Sequence, residues 1–192
     1  YYMLNDSTEF AIRCLYHSYK ASEMIDDILT ECLALEKLSK VEKMTDAKQA
    51  LLHARMAIDK CERDTRTSLA NKIYFRLNLC EALEFADSSA IALKECKTAL
   101  SLAEELGDSL VFADTYQDMS RFFHDVGMYQ KALTCAKEAY LYRKSMFDTS
   151  NALALADAYC DVDSTLQAKE ILANVSKDSH ASRHLIYYIV SY

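Results

Sequence analysis

Residues 113–146 read ADTYQDMSRFFHDVGMYQKALTCAKEAYLYRKSM. In the first half, Tyr116, Met119, Ser120 and Phe123 recur at helical spacing and share one face, three large side chains around a small one. Gly127 then follows the run, where a left-handed helix C-terminus is expected. In the second half Ala132 and Ala139 stand seven apart and so share a face as well. Two short helices joined by so brief a break must fold back on each other, giving an antiparallel hairpin. The small residues let the second helix lie close against the first.

The pattern recurs along the chain. Ala92 and Ala99, then Ala50 and Ala57, repeat the seven-residue step, and Ala168 with Val175 is a looser copy. The interval from Ala50 to Ala92 is 42, from Ala92 to Ala132 is 40, and from Ala132 to Ala168 is 36. Leu79, Cys80 and Leu83, and later Leu155, Ala156 and Tyr159, repeat the face of the partner helix. A lone hairpin cannot bury its apolar side, so a period of this length implies that copies stack to make the core.

Composition agrees. The 192 residues are 51% hydrophobic and 27% charged, with two glycines, no proline and no tryptophan. That leaves almost none of the punctuation a β-sandwich, a barrel or a Gly-rich phosphate loop needs. The reading is an all-α chain of roughly ten helices: 7–20, 22–43, 46–62, 66–86, 88–106, 108–126, 128–146, 150–161, 164–176 and 180–191. Asp46, Asp64, Asp87 and Asp108 stand where N-caps should be, and Gly107 joins Gly127 as a C-terminal stop.

This pattern resembles the tetratricopeptide repeat, in the longer-period variety similar to arrays attached to bacterial regulators and sensors. Residues 113–146 carry the resemblance through Tyr116, Met119, Ser120, Phe123, Gly127, Tyr129, Ala132 and Ala139, and copies at 73–106 and 149–182 follow. The last copy departs from the pattern, with Ala152, Asp163 and Thr165 where an aromatic, Gly and Tyr are usual, and no copy ends in proline. The resemblance implies one domain over 1–192: a right-handed superhelix, or solenoid, of antiparallel hairpins that binds a peptide or partner protein in its concave groove.

In that register the first helix of each pair lines the groove. Its candidate partner-binding residues are Tyr74, Asn78, Glu81 and Phe85, then Gln117, Arg121 and His124, and last Asp157 and Asp161. Asn, Gln and Arg suit a peptide backbone or carboxylate. Arg121 and His124, three apart, form the one cationic spot singled out; the competing reading is that they neutralise Asp118 and Asp125. Some members of the family grip a C-terminal carboxylate with Lys, Asn and Arg, but the matching positions here are mostly acidic or apolar.

Other chemistry finds little support. The formal net charge of −7 and the absence of a basic stripe argue against nucleic acid. Cys14, Cys32, Cys61, Cys80, Cys96, Cys135 and Cys160 are too far apart for Cys-x-x-Cys pairs and read as buried thiols, which leans towards a cytoplasmic setting. His180 and His184 are four apart with no third ligand, and His17 and His53 stand alone, so neither metal nor cofactor is expected. No Gly-x-Ser-x-Gly frame occurs and no catalytic residue is assigned. No apolar stretch is long enough to span a membrane. The chain starts at Tyr1 rather than Met and stops within the apolar pattern Leu185, Ile186, Tyr188, Ile189 and Tyr192, so it reads as a piece of a longer protein. That edge would pack on a following hairpin or, as the rival, form a homodimer. The expectation is a non-enzymatic interaction scaffold; the alternative is the sensory part of a bacterial regulator.

Overall fold

A computed structural model describes residues 2–143 and 149–178. Among these residues there are no strands and nine helices: α1 (Tyr2–Met24), α2 (Ile28–Glu42), α3 (Ala47–Arg63), α4 (Leu69–Phe85), α5 (Ser89–Leu106), α6 (Ser109–Asp125), α7 (Tyr129–Arg143), α8 (Thr149–Cys160) and α9 (Thr165–Asp178). The expected helix over 180–191, and His180 and His184 with it, lie outside the described residues.

The helices gather into two compact units, one ending at Leu106 and one starting at Gly107. In the first, α2 pairs with α3 and α4 with α5, α1 packs on α2, and α3 packs on α4. This brings α2 and α4, the first helices of successive hairpins, side by side. In the second, α6 pairs with α7 and α8 with α9, while α8 also meets α7 and α6.

The small residues that define the repeat sit at the seams. Ala50, Ala57, Ala92, Ala99, Ala132, Ala139 and Ala168 are all buried. Leu35, Leu38, Ile73, Phe75 and Leu83 in the first unit are buried as well. In the second, Leu133, Ala136, Leu155 and Ala158 form a cluster that Tyr140, Tyr159 and Ile171 flank. Burial of a Leu or Phe side chain contributes roughly 1.5–3 kcal/mol, so stacking is what stabilises each hairpin. Five of the seven cysteines, Cys32, Cys61, Cys80, Cys96 and Cys135, are buried among these seams, and Cys14 is exposed. Burial holds the Cys32 thiol at about 11 and that of Cys61 at about 12, so both stay protonated and inert.

The turns follow one device. Asp26, Asp87, Gly127 and Asp163 have left-handed backbones, with φ of 55°, 54°, 74° and 58°. At each, two backbone bonds close the preceding helix; after α4 the N–H of Asp87 donates to Glu84 (2.9 Å) and that of Ser88 to Leu83 (2.8 Å). Asp87 is thus the residue that stops α4, not the N-cap of α5. The expected boundary at residue 22 is also corrected. Ser22 Oγ bonds back to the carbonyls of Ser18 (3.0 Å) and Tyr19 (2.9 Å), so α1 runs on to Met24. Asp27 is the cap of α2, accepting from the N–H of Thr30 at 3.2 Å. Likewise Asp64 closes α3 and turns onto Arg66 and Thr67, leaving Ser68 to cap α4. Asp46 and Asp108 cap α3 and α6 as the sequence suggests.

Candidate functional site

In the first unit, Tyr74, Asn78, Glu81 and Phe85 recur along α4; Tyr74 meets Lys40 of α2, and Glu81 and Phe85 meet Lys43, the residue that caps α2. Tyr74 Oη donates to Glu36 Oε1 at 2.7 Å, and Lys40 Nζ reaches the same oxygen at 2.6 Å while lying 5.2 Å from the Tyr74 ring centre. Burial pushes the Glu36 carboxyl up, but the hydrogen bonds from Lys40 and Tyr74 prevail and hold it below its ordinary range. The carboxylate therefore stays charged although fully buried. One turn further on, Lys43 pairs with Glu81 and sits 5.3 Å from the ring centre of the exposed Phe85.

Asn78 lies between these contacts in sequence and is 5% exposed, with its Nδ2 lacking any hydrogen-bond partner. An unmade bond on a buried amide costs about 1–3 kcal/mol. It is the one sequence candidate that the folded chain leaves incomplete.

The second unit holds the other candidates. Gln117 is half-buried, and Arg121 is exposed and ion-paired with Asp118 on its own helix. His124 Nδ1 lies 2.9 Å from Asp125, and its Nε2 lies 3.5 Å from Asp161 on α8. Its ring meets that of Tyr129 edge-on at 5.8 Å. The hydrogen bond to Asp125, aided by the charges of Asp161, Asp125 and Asp157 against partial burial, holds the imidazole above its ordinary range. Both cationic residues are thus engaged by carboxylates, including the α8 candidate Asp161. An open depression of about 490 Å³ is lined by residues 127–131 and 161–163, Lys131, Asp161 and Asp163 among them.

Sequence reasoning missed a row of buried carboxylates on α2. Glu31 takes the ammonium of Lys60 at 2.5 Å, Glu36 holds Tyr74 and Lys40, and Glu42 holds His53 Nδ1 at 2.6 Å. His53 therefore does not stand alone: it is buried, and its Nε2 lies 3.0 Å from Tyr16 Oη. The spacing of Glu31, Glu36 and Glu42 gave no signal, because Lys60, Tyr74 and His53, the partners that each takes from outside α2, come from other helices.

Among the described residues no cluster of three metal-ligating side chains occurs, and no helix is long and apolar enough to cross a membrane. No family model matches the sequence, and no curated protein does. Solved structures match the fold. A TPR-like repeat structure from a Podosopora anserina putative kinesin light chain superposes with a TM-score of 0.66 at 13% identity, covering 82% of this chain and 84% of that one. A Rap protein complexed with competence and sporulation factor gives a TM-score of 0.72 at 19% identity, covering 91% of this chain and 50% of that one. The apo form of RapI gives 0.68 at 12% identity, covering 93% and 51%. The chain spans about half the length of these two Rap proteins. Paired helices with buried alanine seams, closed by left-handed turns and matched by these neighbours, give the chain the fold of tetratricopeptide-like helical repeat proteins.

Proposed function

We propose that the chain is a non-enzymatic protein-interaction scaffold whose α2–α4 face receives a peptide or an extended segment of a partner protein. The observation that carries this reading is the unpartnered Nδ2 of buried Asn78, on the same helix as half-buried Tyr74 and exposed Phe85. A backbone carbonyl from a docked segment would complete the amide once a flanking side chain shifts, and Phe85 and Tyr74 would flank it with aromatic surface. Lys43 and Glu81 neutralise each other, so the face selects no strong net charge. Gln117, Arg121 and His124 belong to a further contact face on the second unit.

Selection of binders from a random peptide library displayed on phage, run on the wild type and on Asn78→Leu, tests the assignment. Peptides retained by the wild type and lost by the variant support it; equal retention overturns it.

A sensory role in a bacterial regulator is the second reading, favoured by the likeness to the Rap protein solved with competence and sporulation factor. The two readings differ in what binding does. Hydrogen exchange with a selected peptide would show protection confined to α2 and α4 for a scaffold, and altered exchange in α6–α9 for a sensor.

A further inference from the structure

We propose that Tyr16 is a base-assisted nucleophile, a site at which the chain accepts an acyl group from an activated ester or thioester. Three helices build it. Glu42 at the end of α2 takes His53 Nδ1 of α3 at 2.6 Å, and His53 Nε2 lies 3.0 Å from Tyr16 Oη of α1. The carboxylate accepts, so Nδ1 carries the proton, Nε2 is left as an acceptor, and the phenol donates to it. The His53 and Glu42 side chains are only 4% and 9% exposed, which fixes the base, whereas Tyr16 is 41% exposed and open to a reagent. The Tyr16 ring stands edge-on to the imidazole, with 5.6 Å between ring centres.

Burial, with the Glu42 charge behind it, raises the Tyr16 phenol above its ordinary range. Tyr16 therefore attacks as a neutral phenol that loses its proton while the new bond forms. The Oη lone pair adds to the acyl carbon, the phenolic proton passes to His53 Nε2, and the carbon–leaving-group bond breaks. The expelled alkoxide or thiolate takes that proton from the imidazolium, which returns neutral. His53 is the base, and Glu42 is a positioning residue that acts through it. A neutral acyl group suits the site better than a phosphoryl group, because the charge acting on Tyr16 is the Glu42 carboxylate; Lys20, one turn on, is held by Glu23. The result is a stoichiometric modification, with no turnover implied.

The test treats the whole chain with p-nitrophenyl acetate and, separately, with an acetyl thioester, and maps acetylated tyrosines by mass spectrometry over time. Tyr129 and Tyr142 are 44% and 42% exposed and serve as internal references matched in exposure. The expected result is acetylation of Tyr16 about a hundredfold faster than of either, the lower end of general-base assistance. Its rate should fall to that of Tyr142 in His53→Gln and Glu42→Gln. Glu42→Asp should restore part of it. Protection of the buried Cys32 and Cys61 from alkylation and the thermal unfolding midpoint report whether each variant folds. Acetylation of wild-type Tyr16 no faster than of Tyr142 overturns the proposal even if both His53 and Glu42 variants unfold, and an unchanged Tyr16 rate in a folded variant overturns it as well.

Discussion

Asp163 does for the α8–α9 turn what Gly127 does for the α6–α7 turn. The two have φ of 58° and 74°. The N–H of Gly127 donates to His124 at 2.9 Å and that of Asp163 to Cys160 at 3.0 Å. The following N–H groups, of Met128 and Ser164, donate to Phe123 and Tyr159 at 2.7 and 2.9 Å. Apart from Gly, only Asp and Asn enter this backbone region at modest cost. A Cβ on Gly127 would meet nothing within 4 Å, so its substitution isolates the backbone cost. Gly127→Ala should therefore destabilise by about 1 kcal/mol, and Asp163→Gly should be neutral or slightly stabilising, both read by urea denaturation.

Ala132 is fully buried, and its carbonyl accepts from Ser120 Oγ at 2.9 Å, so α6 and α7 touch there without space for a larger side chain. Ala132→Leu should overpack the seam and cost roughly 1–3 kcal/mol, measured by thermal or urea unfolding. A neutral result would contradict the close approach of the two helices.

His124 carries a pH dependence of definite sign. Its folded value lies above the ordinary 6.5, chiefly through the bond to Asp125 and then the charge of Asp161. The stability it contributes is fully present below 6.5 and is lost as pH rises through the raised folded value. Nuclear magnetic resonance titration of its ring protons should give a midpoint above 6.5, and Asp125→Asn should move that midpoint down.

Asn78 should behave unlike an ordinary core residue. Leu has a similar shape and carries no unmade hydrogen bond, so Asn78→Leu should match or exceed the wild type in thermal midpoint. A loss of more than about 1 kcal/mol would mean that the amide is satisfied in solution and serves the fold.

Periodicity made the hairpins legible because the alanines of each second helix have one role, close packing, and all those tested in the described residues are buried. Asp163 looked like a departure from the pattern since residue type alone does not show that Asp takes a left-handed backbone there. Ser22 misled for a related reason: a Ser that caps a helix and one that bonds back inside it look the same in sequence. The candidate faces were harder. Glu36, Glu42 and His53 have the composition of a solvated surface; Glu36 has Lys40 on its own helix, and the packing of α1, α3 and α4 around α2 buries all three and supplies Tyr74 to Glu36, His53 to Glu42 and Tyr16 to His53. Arg121 was visible as a cation, and its pairing with Asp118 was the plainer of the two readings available for it.

The most direct measurement is the affinity of a library-selected peptide for the wild type and for Asn78→Leu, by isothermal titration on protein of matched thermal midpoint. A carbonyl bond to the Asn78 amide should make the wild type bind at least tenfold more tightly, or about 1.4 kcal/mol. Equal affinity, with the peptide protecting helices other than α2 and α4 from exchange, would contradict the assignment of the α2–α4 face as the working surface.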